Sequence, residues 1–349
     1  MLGDDVLSSN KQPPAKYQQA LMLSGGGHQY ATLLGRYDAL LDMGHKPDLL
    51  IASCGGSIVA HLIASIKDPQ KRLDWISSKD MHRFWASQQA GPGNQIHRIL
   101  FSALKRKLWN RVSARLPDLM DTWLFRFDQS FPTLPQPLPD APDAPDVLMM
   151  GTQLNYQEEQ IGLNSHDAIF SEVLFCNERV AALLANEAST MAKYTKKIST
   201  ELIFLNDVSY AQAMRISVAD CYYYQPEVLK GKTYIGGLSN LFPIELAKKC
   251  SDHVIAERKE DFDTIFASPV IQSIFGFDAQ QRLDDFHAHE CVTWLPVLHD
   301  KPMASIKKKI NWWRNELGLV ISDYEDFKQQ VRSQYMAGYN TAYKAAHKG

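Results

Sequence analysis

Residues 49–66 (LLIASCGGSIVAHLIASI) run for eighteen positions without an Asp, Glu, Lys or Arg, and they constrain the fold more than any other stretch of this chain. A run of that length is long enough for a membrane-spanning helix. Its composition argues against one, because Gly55, Gly56 and His61 interrupt it and the apolar pattern changes at Cys54. Before Cys54, Leu49, Leu50 and Ile51 form a continuous block; after it, Ile58, Val59, Leu62, Ile63 and Ile66 recur at helical spacing. The change reads as a buried strand, a tight turn and a helix. In such a turn, small residues on both sides of a nucleophile let the backbone bend sharply and leave the side chain at the helix N-terminus. Cys54 holds that central position.

A similar unit comes before it. Residues 20–23 are a short apolar run ending in Ser24-Gly25-Gly26-Gly27, after which Ala31, Leu34 and Leu41 fall at helical spacing and Gly44 offers a C-cap ahead of Pro47. Two successive strand–helix units imply parallel strands with right-handed crossovers. Further strand candidates lie at 147–152, 173–175, 202–205, 231–234 and 253–256, with helices at about 177–186 and 243–250. Residues 68–126 read as amphipathic helices in which Trp75, Phe84, Trp85 and Trp109 alternate with Lys105, Arg106, Lys107 and Arg111. Six prolines within residues 131–145 exclude a regular helix or central strand there. Residues 1–17 read as a loosely docked arm, and everything beyond about Asp261 as helix-rich.

With 349 residues, 45% of them hydrophobic, the chain has ample material for a core. A net charge of -2 gives no bulk attraction to nucleic acid or to an anionic membrane, so any such contact must be local. Cys54, Cys176, Cys221, Cys250 and Cys291 are odd in number and widely spaced, which fits reduced thiols better than a disulfide framework or a zinc site. The first residues lack an apolar signal segment, so a cytoplasmic location is the expectation. No phosphate-binding loop, dinucleotide fingerprint or metal-ligand cluster stands out, and neither a cofactor nor a metal is expected.

A glycine loop after the first strand, a nucleophile turn after the second and a Gly-Gly loop at Gly236-Gly237 together resemble the patatin-like phospholipase family. That family carries a loop of the form G-G-G-x-[RK]-G, a serine turn G-x-S-x-G some twenty-five residues later, and a D-G-[GA] motif that supplies the aspartate of a Ser-Asp dyad. The resemblance covers residues 20–66 closely and 147–254 loosely. It implies a single patatin-like α/β domain over 1–349, with a central, mostly parallel sheet flanked by helices. Its core spans about 18–66 and 146–260, with a helical insert at about 67–145 and a helical C-terminal region at about 261–349. It also implies an oxyanion hole at Gly25, Gly26 and Gly27.

The chain departs from the family pattern at each catalytic side chain. Cys54 stands in place of the serine, Ala52 in place of the first glycine of the turn, and Ile235 in place of the aspartate; Gln29 and Tyr30 replace the loop cation and the glycine after it. A cysteine tolerates loss of the aspartate better than a serine does, because its free pKa of about 8.5 can be lowered at a helix N-terminus. His28, directly after the third glycine, is the candidate replacement base, with an exposed loop residue as the bland alternative. His61 lies two helical turns, about 10 Å, beyond Cys54. Asp207 and Asp220 are further candidates that read first as turn or loop residues.

Two functional readings remain open from the sequence. One is an acyl hydrolase or acyltransferase that forms an acyl-enzyme at Cys54, with a lipid or an acyl thioester as substrate, the thioester linked to an acyl-carrier protein or coenzyme A. The other is a degenerate fold that binds acyl chains or a protein partner without turnover. Tyr222, Tyr223 and Tyr224 are candidates for an acyl pocket or for core. Lys307, Lys308 and Lys309 followed by Trp312 and Trp313 read as a surface helix, with peripheral membrane contact the sharper alternative. No nucleic-acid partner is expected, and the sequence leaves the oligomeric state open.

Overall fold

The computed structural model describes residues 14–25, 27–109, 112–134, 144–264, 267–298, 302–311 and 313–346. Most of the expected N-terminal arm, most of the proline-rich segment, Gly26 and Trp312 therefore lie outside the described residues.

Chain order follows the two expected strand–helix units: β1 (Tyr17–Ser24), α1 (Ala31–Asp42), β2 (Leu49–Ser53) and α2 (Gly55–Ser65). The insert contributes α3 (Pro69–Ile76), α4 (Lys79–Ala86), β3 (Gln88–Ala90), α5 (Ile96–Trp109) and β4 (Phe125–Phe127). The core resumes with β5 (Asp146–Leu154), β6 (Phe170–Phe175), α6 (Glu178–Leu184), β7 (Ile203–Leu205), α7 (Tyr210–Val218), β8 (Glu227–Leu229), β9 (Lys232–Gly236), α8 (Ile244–Cys250) and β10 (Ser251–Glu257). The C-terminal region contains α9 (Ala267–Phe275), α10 (Ala279–His287), β11 (Val292–Leu295), β12 (Ile306–Asn311), β13 (Glu316–Ile321) and α11 (Tyr324–Ala346).

Nine strands form one sheet in the order β11-β10-β1-β2-β5-β6-β7, with β9 added to β5 and β8 to β9. The pairs on either side of β1 and β2 are parallel, whereas β5 runs antiparallel to both β6 and β9. Residues of β1 and β2 are buried on both faces of the sheet, consistent with continuous apolar blocks rather than alternation. One face is covered by α1, α2 and α11, the other by α6, α8 and α10.

The register on β5 fixes where the site forms. Asp146 to Met149 pair with β2, while Gly151 to Gln153 pair with β9 in the opposite direction. Because β6 occupies the other edge of β5 over the same residues, β2 and β9 must share one edge and meet end to end. The C-terminus of β2 at Ser53 therefore faces the C-terminus of β9 at Gly236.

One segment differs from its sequence expectation. Residues 306–321 form an antiparallel hairpin, not a surface helix. Leu317, Leu319 and Ile321 alternate along one strand and pack their shared face on the core, and Asn315 adopts a φ of 53° at the turn. That period of two outweighs the helical look of the lysine run. The C-terminal region is accordingly mixed, with β11 extending the main sheet.

Candidate active site

Cys54 lies between β2 and α2 with φ 51° and ψ -126°. A non-glycine residue in that conformation costs on the order of 1–3 kcal/mol and persists only where its surroundings hold it. Three contacts do so: the Ser57 N–H donates to the Cys54 carbonyl at 3.0 Å, the Cys54 N–H donates to Ser217 Oγ at 3.2 Å, and the Ser57 hydroxyl bonds Ser217 Oγ at 2.8 Å. The glycine loop closes over this turn. A Cβ at Gly55 would stand 2.8 Å from the Gly27 carbonyl oxygen and 2.9 Å from that of Gly25, so the loop and the turn touch backbone to backbone.

The thiol of Cys54 donates to Asp220 Oδ2 at 3.0 Å. Asp220 comes just after α7, one helical turn beyond Ser217, and its Oδ1 is buried without a hydrogen-bond partner. Gly236 makes room for it, since a Cβ there would lie 2.6 Å from Asp220 Oδ1 and 2.8 Å from the Ser217 carbonyl. The Gly236 N–H donates to the Ala219 carbonyl at 2.7 Å, tying the end of β9 to the residue before the carboxylate. Ile235 is fully buried in an apolar cluster with Phe170 and Tyr156. The carboxylate beside the nucleophile thus comes from position 220, while the position that the motif marks is core.

Electrostatics at the pair run opposite to the expectation of a lowered thiol. Burial, followed by the charge and hydrogen bond of Asp220, pushes the Cys54 thiol well above its ordinary value, and the Gly55 and Gly27 N–H groups offset this only in part. Burial raises Asp220 to about 6, with the Cys54 hydrogen bond pulling it down. The resting pair is therefore a thiol beside a carboxylate near neutral pH. Helix position alone does not make a thiolate here, because Asp220 places a negative charge against the sulfur.

The glycine loop divides its work. Gly25, at φ +67°, uses its N–H on the Ser53 carbonyl at 3.2 Å and so anchors the loop to β2. The N–H groups of Gly27 in the loop and of Gly55 at the start of α2 favour the ionised sulfur of Cys54. Gly26, the remaining expected oxyanion donor, lies outside the described residues. Lys259 bonds the Ser24 carbonyl at 2.7 Å and Glu257 at 2.6 Å, which fixes the start of the loop with a cation from beyond β10.

The hydrogen bond of the His28 ring goes to Tyr224 and not to Cys54. Its Nε2 pairs with the Tyr224 hydroxyl at 3.2 Å and its ring packs edge-on against Trp85, while burial and then Lys308 lower it to about 4. It is a neutral wall residue whose ring hydrogen bond goes to Tyr224. His61 is buried with its ring against Phe131 and Tyr210. Asp207 forms a surface ion pair with Lys230. Tyr223 and Tyr224 join an aromatic rim with Phe125 and Phe127. Cys176, Cys221 and Cys250 are buried, and Cys291 is exposed. Ser217, the support of the turn, opens the stretch 217–226, which resembles the small-residue and proline run that precedes the aspartate motif in the family, but its supporting role was not expected from the sequence.

Comparison with known proteins agrees with this architecture. Residues 21–248 match the family described as patatin-like phospholipase. No curated protein matches. The crystal structure of VipD from Legionella pneumophila is similar at 13% identity and a TM-score of 0.30, covering 71% of this chain and 52% of that one. The chain therefore spans about half the length of that relative.

Proposed function

The chain belongs to the patatin-like phospholipase family, whose members are lipid acyl hydrolases, and from that premise we propose that it cleaves or transfers acyl groups through Cys54 with Asp220 as the base. The observation that carries this reading is the 3.0 Å contact of Cys54 Sγ with Asp220 Oδ2 on a strained strand-to-helix turn. As the sulfur attacks the substrate carbonyl, its proton passes to Asp220, and the carbon–sulfur bond forms while the carbonyl oxygen takes the negative charge. The Gly27 and Gly55 N–H groups are the donors available to that oxygen. Collapse expels the alcohol or thiol, which takes the proton back from Asp220 and leaves an acyl thioester on Cys54. Water or another acceptor then attacks the thioester carbonyl as it gives its proton to Asp220, the carbon–sulfur bond breaks, and the sulfur takes that proton back from Asp220 as the acyl group leaves on the acceptor.

A protonated resting thiol suits this order of events, because proton transfer accompanies attack and no free thiolate is needed. Lipid esters and acyl thioesters linked to an acyl-carrier protein or coenzyme A are both within reach of such a nucleophile. Turnover of a panel of both, compared between the parent and Cys54→Ala, tests the reading: loss of turnover in the variant is expected, and unchanged turnover would rule out the thiol. The second reading, an acyl-binding site without turnover, is favoured by one observation, the strongly raised thiol. It predicts acyl-chain binding by the parent with no product from any substrate of the panel.

A further inference from the structure

Two segments more than 200 residues apart, each rich in basic and aromatic residues, meet at Asn315. The Ile96 N–H donates to the Asn315 carbonyl at 3.0 Å, the His97 N–H donates to Asn315 Oδ1 at 3.3 Å, and the two side chains also touch. The first turn of α5 is thereby fastened to the tip of the β12–β13 hairpin. Leu100 and Phe101 fall three and four residues after His97, on the same helix side, and are 50% and 69% exposed. At the hairpin tip Trp313 is 100% exposed, and Val320, paired with Lys307 nearer the base, is also open to solvent. Arg98 on α5 and Lys307, Lys309 and Arg314 on the hairpin are exposed as well, with Glu316 the acidic group at the turn.

The hairpin has two different faces. Lys307 and Lys309 lie opposite Val320 and Gly318 on the outer face, whereas Lys308 lies opposite Leu319 on the face turned inward. The Lys308 ammonium is 4.9 Å from the Tyr223 ring centroid, at the rim of the Cys54 site, with Asp263 in electrostatic range. The outer face and the active-site rim are thus opposite sides of one two-stranded element.

We propose that the hairpin tip, its outer face and the α5 face form a docking surface for an anionic phospholipid bilayer. Exposed tryptophan and phenylalanine among lysines and arginines match the layered chemistry of a lipid interface, where aromatic rings sit at headgroup depth and cations meet lipid phosphate. Within residues 306–321 four cations, Lys307, Lys308, Lys309 and Arg314, stand against one acid, Glu316, so the charge of the hairpin is complementary to an anionic surface and not to a second copy of itself. The inference deepens the reading of Cys54 as a lipid acyl site and rests on it for its purpose.

The test uses the full-length Cys54→Ala protein, which removes turnover, sedimented with vesicles of phosphatidylcholine alone or with roughly one third phosphatidylglycerol. Binding to the anionic vesicles only, weakening as salt is raised, is the expected result. Trp313→Ser should lower the partition several-fold, and Lys307→Glu with Lys309→Glu should lower it far more than tenfold, since each adjacent cation is worth roughly fivefold and two reversals change the charge by four. Thermal unfolding of these variants checks that the fold is kept. Equal partition to both vesicle types, or unchanged partition of both variants, overturns the proposal. A concentration-dependent dimer that Trp313→Ser dissociates, without vesicle binding, overturns it too and assigns the face to a second copy. Acylation of the parent by a soluble acyl thioester reports on Cys54 separately, so failure of docking and failure of the catalytic reading are read on different measurements.

Discussion

Cys54 Sγ and Asp220 Oδ2 stand 3.0 Å apart although 166 residues separate them, and the carboxylate has no other hydrogen bond at its second oxygen. The pair exists because β2 and β9 share one edge of β5 and end facing each other, and because Gly236 leaves the space that Asp220 fills. Burial and then Asp220 hold the sulfur as a thiol, while burial raises Asp220 to about 6 against the pull of the Cys54 hydrogen bond.

Acylation should therefore depend on Asp220 being ionised. Its raised value of about 6 means that the rate rises with pH through that region and levels above it. Asp220→Asn should lower acylation by about 10²–10⁴-fold, the usual contribution of a positioned base, and should remove the rise near pH 6. Stopped-flow or quenched acylation from pH 4.5 to 8 checks both.

The same variant should be more stable than the parent. A carboxyl whose folded value is raised above its unfolded value supports the fold fully only below the unfolded value, near 4, and loses that support as pH rises through about 6. Above pH 6 the buried charge costs the parent about 2–3 kcal/mol, which Asp220→Asn removes. Denaturant midpoints at pH 8 should shift upward in the variant and converge with the parent near pH 4.

Thiol labelling should separate the cysteines in an order opposite to simple catalytic intuition. Cys291 is exposed, whereas the raised Cys54 thiol carries little thiolate at neutral pH. Iodoacetamide should modify Cys291 first, and peptide mapping over a time course reads the order. Rapid labelling of Cys54 ahead of Cys291 would contradict the electrostatic picture of the pair.

Ser217 accepts the Cys54 N–H and bonds Ser57, so it supports the strained turn from α7. Ser217→Ala should cost about 1–2 kcal/mol in stability and lower the acylation rate while leaving its pH midpoint in place. A shifted midpoint would mean that Ser217 acts on the ionisation of Asp220 and not on the turn.

What the sequence revealed and what it concealed follow from range. The strand, turn and helix around Cys54 were legible because apolar periodicity is local, and the glycine loop because glycine adopts the positive φ values at Gly25 and Gly27 without the steric cost of a side chain. Asp220 was obscured because the edge shared by β2 and β9 is a long-range pairing, while the motif pointed to Ile235. His28 looked like the nearer base, yet the ring hydrogen bond of that residue is to Tyr224 and its surroundings are aromatic. The hairpin at 306–321 was masked by its lysines, though Leu317, Leu319 and Ile321 carry the period of two that defines it.

Among the described residues no helix is long and apolar enough to cross a membrane, and no cluster of three His, Cys, Asp or Glu side chains could hold a metal ion.

The most direct test is the mass of the Cys54 peptide after incubation with acyl thioesters and lipid esters. The account predicts an acyl adduct on Cys54 that forms in the parent, is absent in Cys54→Ala and accumulates far more slowly in Asp220→Asn. An adduct that forms at the same rate with Asp220 replaced, or one that maps to another cysteine, would contradict it.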